Sequence, residues 1–293
     1  MVFAPTGVGK SWFAMGVAAA VAGGGNFGHW SAPEPRNVLY IDGEMDLSDL
    51  KGRFQAIVEA ADGVDKISLL SNLKLFARHD QPENSRFPDF GSEEESERII
   101  KLVRSNRPDL VVLDNLSTLA TVDDNNASEA WDPFLRLLQR IRAAGAAVFV
   151  VHHSNKGGET YHGSSKIPVM FDALVRLRPD PRPLVRTGAA FMLDFTKTRM
   201  LTEDAGKTYN IGFEDNSWCW DLLVSQEVRS LVQRILAGEF QTQKQAAEVL
   251  NISPGEVSKK LTDACNAGII TRQAIQGALQ AARDVAAEDH ELF

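Results

Sequence analysis

The residues Ala4-Pro5-Thr6-Gly7-Val8-Gly9-Lys10-Ser11 carry the most specific chemistry in this 293-residue chain. They fit the phosphate-loop pattern G-x-x-x-x-G-K-S/T, except that Ala4 stands at the first glycine. Gly7 and Gly9 let the backbone curl so that successive N–H groups face anionic oxygens. A helix beginning near Lys10 adds its positive dipole end. Lys10 is expected to reach the β- and γ-phosphates, and the Ser11 hydroxyl to ligate Mg²⁺. With Trp12 on the first helical turn, residues 4–12 form the predicted nucleotide-binding set.

Asp114 ends the apolar run Leu110-Val111-Val112-Leu113, about 100 residues downstream. A carboxylate at the tip of a buried strand beside the loop could hold a Mg²⁺-bound water together with Ser11. Glu44 follows Val38-Leu39-Tyr40-Ile41 and is the preferred general base. Asp42, two residues away, shares its face and leaves that assignment open between the two. His153 ends another apolar run and could touch the γ-phosphate, passing its loss to a loop containing Gly157 and Gly158. A structural role for this histidine is nearly as well supported. Lys197 and Arg199, two apart on one strand, project on the same side and could clamp transition-state charge on a phosphoryl group. Were they to serve a neighbour's site, hydrolysis would need an oligomer.

These groups need a scaffold. Strand and helix signals alternate through residues 1–200, which predicts an α/β fold with a mostly parallel sheet flanked by helices. Strands are expected at 38–41, 67–76, 110–113, 147–151, 172–177 and 190–195, with a closing hairpin over 208–220. Helices are expected at 12–22, 47–61, 93–106 and 129–144. Residues 154–162 read as a mobile loop. A strand feeding a phosphate loop normally has about five or six residues. Only Met1, Val2 and Phe3 precede it here, so further residues are expected upstream.

After Asp221 the texture becomes helical. The expected organisation is a core over 1–223, a small all-α or winged-helix-like domain over 224–272, and a helical or frayed tail over 273–293. The middle part carries a helix-turn-helix signature: a helix at 242–250, a turn at Asn251-Ile252, and the capping box Ser253-Pro254-Gly255-Glu256. A second helix runs on to Ala267, where Gly268 stops it. Ser258, Lys259, Lys260 and Thr262 could meet DNA. Residues 225–272 hold six basic and five acidic side chains, so a protein-docking module is nearly as well supported.

Composition narrows the choice. The chain is 44% hydrophobic and 24% charged, with a net charge of −8. A broad basic surface for coating nucleic acid is excluded, and any DNA contact must be local. No apolar stretch is long enough to span a bilayer, so no membrane partner is expected. Cys219 and Cys265 stand in no metal or redox spacing, which suits a cytoplasmic location.

Taken in order, these motifs resemble the RecA-like ATPase superfamily, and within it the small hexameric replicative helicases of the RepA type. The resemblance spans residues 1–200 and rests on residues 4–11, Glu44, Asp114 and His153, with Gly163-Ser164-Ser165 matching a further family segment. It implies ATP and Mg²⁺ as cofactors, ATP hydrolysis, a homo-oligomeric hexamer ring, and single-stranded DNA as the translocated or unwound partner. It also implies that Lys197 and Arg199 act as a finger pair across subunits. Residues 118–127 and 155–162 would line the pore, with Lys156 its one evident cation and Asp123-Asp124 an acidic departure. A carboxyl-terminal helix-turn-helix lies outside the core family pattern. A recombinase-like loader and an ATP-gated DNA-binding or adaptor protein are the alternatives.

Overall fold

The computed structural model describes all residues except 82–85, 123–127, 156, 165, 182, 201–206, 224–225, 268 and 292–293. The expected pore residues Asp123, Asp124 and Lys156, together with Ser165 and Gly268, therefore lie outside the described residues. The chain divides into two units, Met1–Trp220 and Asp221–Phe293.

Strands β1 (Val2–Ala4), β2 (Gly25–Phe27), β3 (Trp30–Ala32), β4 (Val38–Asp42), β5 (Leu73–Ala77) and β6 (Leu110–Asp114) come first in chain order. They are followed by β7 (Ala147–His153), β8 (Ala173–Pro179), β9 (Ala189–Thr198), β10 (Thr208–Glu214) and β11 (Ser217–Leu222). Nine of them form one sheet in the order β11-β10-β9-β8-β1-β7-β6-β4-β5, while β2 and β3 make a separate hairpin. The six strands from β8 to β5 are parallel. β9 runs antiparallel to β8, and β10 antiparallel to β9, so the sheet is mixed. Every residue of β4 and β6 is buried, as continuous apolar runs covered on both faces require.

Helices α1 (Lys10–Gly23), α2 (Leu47–Ala60), α3 (Lys66–Asn72), α4 (Ser96–Asn106), α5 (Leu116–Leu119) and α6 (Asp132–Ala143) accompany the sheet. The hydrophobic periodicity of α4 and α6 buries Ile99, Ile100 and Val103 beside Phe134, Leu137, Leu138 and Ile141, against Phe3, Val111 and Leu113. Helix α1 is nearly all small or apolar and is buried at ten of its fourteen positions.

The register brings the carboxyl ends of the parallel strands level. Asp42 lies opposite Asp114, and Ala4 opposite His153. Four chain segments that follow these strands therefore converge on one edge of the sheet, where ligands of open α/β sheets bind.

Some expected elements are corrected. Residues 67–76 are not one strand: α3 occupies the first part and β5 the second. The carboxylate of Asp65 caps α3, accepting the Ile67 N–H at 3.0 Å and the Ser68 hydroxyl at 2.6 Å. An apolar run of this length fits either period, and the cap decides it. In the loop that follows β7, described residues bond to one another and to β8. Asn155 N–H donates to the Thr160 carbonyl at 2.7 Å, and Glu159 pairs with Arg176.

The second unit holds α7 (Gln226–Leu236), α8 (Gln243–Leu250), α9 (Pro254–Asn266) and α10 (Arg272–Glu291). Thr242 caps α8, Asn251 ends it in the left-handed region, and Ser253 with Glu256 forms the capping box of α9. Among the described residues no wing strand follows α9, and Ile270 is instead a buried core residue. Residues 273–293 fall mostly in α10, whose Ile275 and Leu279 enter the core formed with Val228, Leu231, Val257 and Leu261.

Candidate active site

Residues 5–9 bridge β1 and α1 as a tight loop. Gly7 and Gly9 have φ of 81° and 117°, in the left-handed region that favours glycine. A Cβ on Gly9 would also stand 2.7 Å from Cδ1 of Phe191, whereas one on Gly7 would meet nothing within 4 Å. Both alanine variants carry backbone strain of about 1–3 kcal/mol, and Gly9→Ala is expected to weaken nucleotide binding well beyond Gly7→Ala because it alone adds the clash with Phe191. Titration with a fluorescent nucleotide checks this, and the reverse ranking would refute it.

No side chain caps α1, and its first turn holds no acidic residue. The leading N–H groups and the dipole are thus directed at whatever enters the loop. Lys10 is buried, and its ammonium folds back to donate to the Ala4 and Pro5 carbonyls at 3.2 and 2.9 Å. Burial pulls its pKa down, and Asp114 and Glu44 partly offset this. A desolvated cation that donates to backbone carbonyls is poised for an anion.

Asp114 is buried and accepts hydrogen bonds from Tyr40, at 2.6 Å, and from Ser11. Burial raises its pKa, while those two bonds work against the rise. One hydroxyl and one carboxylate suit Mg²⁺, which takes few protein ligands and completes its shell with water and phosphate oxygens. Among the described residues no three His, Cys, Asp or Glu side chains cluster as an all-protein metal cage.

The two candidate bases differ in access. Asp42 is fully buried, and its Oδ1 accepts the N–H groups of Glu44 and Met45 at 2.9 and 2.6 Å. Glu44 is exposed. Only Glu44 can meet a water.

His153 stands beside the loop, with Nδ1 3.4 Å from the Thr6 hydroxyl. Burial and then Lys10 lower its pKa, which keeps the ring neutral near pH 7. His152 points to the other face, where Nε2–H donates to the His162 carbonyl at 2.7 Å and Nδ1 is buried without a partner.

Burial pushes His152 from 6.5 down to about 4, and Asp42 from 3.8 up to about 6. The unfolded chain protonates His152 first, so this group costs stability as pH falls from 6.5 to 4. The folded chain protonates Asp42 first, so this group adds stability as pH falls from 6 to 3.8. Each amounts to roughly 3 kcal/mol, and in the wild type they oppose one another. The Met1 amine, pushed down to about 5 by burial, acts between pH 8 and 5 and is common to all variants. Urea unfolding between pH 6.5 and 4.5 should show Asp42→Asn more acid-sensitive than wild type, and His152→Gln less so. Parallel profiles for the three proteins would refute this.

Lys197 and Arg199 are not at this edge. Ala189 at the start of β9 lies beside Gly9, but β9 runs away from the loop and pairs Thr198 with Ala173. Arg199 is thus roughly 30 Å from the loop, at about 3.3 Å per residue. There Lys197 donates to the Pro168 carbonyl at 2.7 Å, and Arg199 bonds Asp172 at 3.0 Å and the Val169 carbonyl. Arg53 of α2 was not singled out by any local pattern. Its guanidinium stands 5.3 Å from the centroid of the Trp12 ring, which also packs against Phe213 at 4.6 Å.

In the second unit Ser258, Lys259 and Thr262 are exposed on α9, as is Asp263. Lys260 is instead tied to Glu227 at 2.5 Å. No described helix is long and apolar enough to cross a membrane.

Comparison with known proteins bears on the fold and the family. A KaiC-like protein from the hyperthermophilic archaeon Pyrococcus horikoshii has a similar fold, with a TM-score of 0.53 at 14% sequence identity. The similarity covers 75% of this chain and 87% of that one. No curated protein matches the chain. The family model described as "AAA domain" matches residues 1–159, which takes in the phosphate loop, Glu44, Asp114 and His153. The chain belongs to the AAA domain family, and its first unit has a RecA-like α/β P-loop NTPase fold.

Proposed function

We propose that this protein is a Mg²⁺-dependent ATPase that works as a hexameric ring and drives single-stranded DNA through it. One observation carries the reading. The loop edge gathers Lys10, Ser11, Glu44, Asp114 and His153, yet the Lys197–Arg199 pair lies at the opposite edge of the sheet. Only a second copy could bring that pair to a phosphate, and a head-to-tail arrangement that closes is a ring.

In this reading Lys10 and the backbone of residues 5–9 grip the phosphates. Ser11 and Asp114 would hold the metal, which would supply positive charge against the phosphate oxygens. Trp12 and Arg53 would offer an aromatic face and a cation to the base of the nucleotide. Glu44 takes the proton of the attacking water, while Arg199 and Lys197 of the neighbour meet the developing negative charge. Neutral His153 senses whether the γ-phosphate is present.

A second reading has its own support. The exposed face of α9 carries both Lys259 and Asp263, and Lys260 is occupied by Glu227. That balance suits a protein partner better than duplex DNA, and it favours an ATP-gated adaptor or loader. The two readings separate in one assay. Oligo-dT should accelerate ATP turnover several-fold and a forked duplex should open with ATP. Turnover indifferent to oligo-dT would refute DNA translocation and favour the adaptor.

A further inference from the structure

We infer that Asn115 is a positioning residue for hydrolysis, its side-chain amide holding the Glu44 carboxylate in place. The inference rests on the proposed reading of Glu44 as general base. Asn115 is 2% exposed, and Nδ2 donates to Glu44 Oε2 at 2.5 Å. The other end of the same amide is committed as well. Oδ1 accepts the Thr118 N–H at 3.2 Å as the cap of α5. A short planar group bonded at both ends cannot rotate, so the N–H offered to Glu44 has a fixed direction.

The second restraint comes from the neighbouring strand. Asp42 Oδ1 accepts the Glu44 and Met45 N–H groups, which fixes the backbone from which the Glu44 side chain departs. Asp42 and Asp114 are register partners, so a single pairing of β4 with β6 sets both restraints. An unrestrained exposed glutamate would spread over many rotamers, most of them useless for a water at a phosphate. Here one oxygen is occupied by the amide. The other oxygen is left to face a water.

Capping α5 is a second task of Asn115, and the test must separate the two. Asn115→Ser keeps a good capping oxygen but removes the amide donor. Asn115→Ala removes both. Each full-length variant is compared with wild type by thermal melt and by kcat and KM for Mg²⁺-ATP. Asn115→Ser should melt near wild type, keep KM within about twofold, and lose about tenfold in kcat, the low end of what a displaced general base costs. Asn115→Ala should show the same kcat loss with a lower melting point. In a Glu44→Gln background Asn115→Ser should cost nothing further, because the group it positions has gone. A kcat that falls only in Asn115→Ala, following stability, would overturn the inference alone. A fully active Glu44→Gln enzyme would bring down both the inference and the base assignment.

Discussion

Glu44→Gln should leave the protein folded and able to bind Mg²⁺-ATP, yet slow turnover about 10²- to 10⁴-fold, the usual contribution of a positioned general base. The side chain is exposed and makes no packing contribution to a core, so the melting point should hold. Glutamine preserves its length and its ability to accept a hydrogen bond, but it cannot take a proton. Lys10, Ser11 and Asp114 are untouched, so a fluorescent nucleotide should bind with affinity within about threefold of wild type, a difference below 1 kcal/mol. The contrast with Asp42 sharpens the test. Asp42 is sealed from solvent, and its Oδ1 is engaged by two backbone N–H groups. An enzyme that survives Glu44→Gln but dies with Asp42→Asn would reverse the assignment of the base.

Arg199→Ala is expected to be as damaging, about 10³-fold or more in kcat, with nucleotide binding spared. In the isolated chain Arg199 pairs with Asp172, and the two side chains are 47% and 62% exposed. A pair so open to water holds by no more than about 1 kcal/mol. The guanidinium is therefore free to leave for a fully charged phosphate. Because it stands at the edge opposite its own loop, the damage should be repairable from outside. Arg199→Ala brings an intact loop and Lys10→Ala brings an intact finger, so mixing the two inactive proteins should recover a fraction of activity. Mixtures that stay inactive at every ratio, while each protein still oligomerises, would remove the shared-site proposal. Activity in a strictly monomeric wild type would remove it as well.

Much of the architecture could be read before any coordinates. The alternation of apolar runs with amphipathic stretches predicts the parallel strands and most helices, since burial on two faces or on one stripe writes itself into local composition. The capping box at Ser253 and Glu256 and the glycines of the phosphate loop are legible for a similar reason. Each satisfies a steric or hydrogen-bonding demand within four residues. The misreading of 67–76 marks the limit. Ile67 and Leu70 are 79% and 75% exposed in α3, so apolar character there does not report burial, and Asp65 determines the outcome.

By itself, then, the sequence determined that a triphosphate-binding loop stands between a strand and a helix, with carboxylates at the ends of buried strands to follow. Its tertiary structure alone decided which of those groups meet. Asn115 grips Glu44 across 71 residues, Arg53 covers Trp12, Lys260 is spent on Glu227, and Lys197 with Arg199 faces away from the loop. The reason is physical. Local patterns encode period and turn chemistry, whereas a contact between distant segments depends on strand order and register, and a one-residue slip in register turns every side chain to the opposite face.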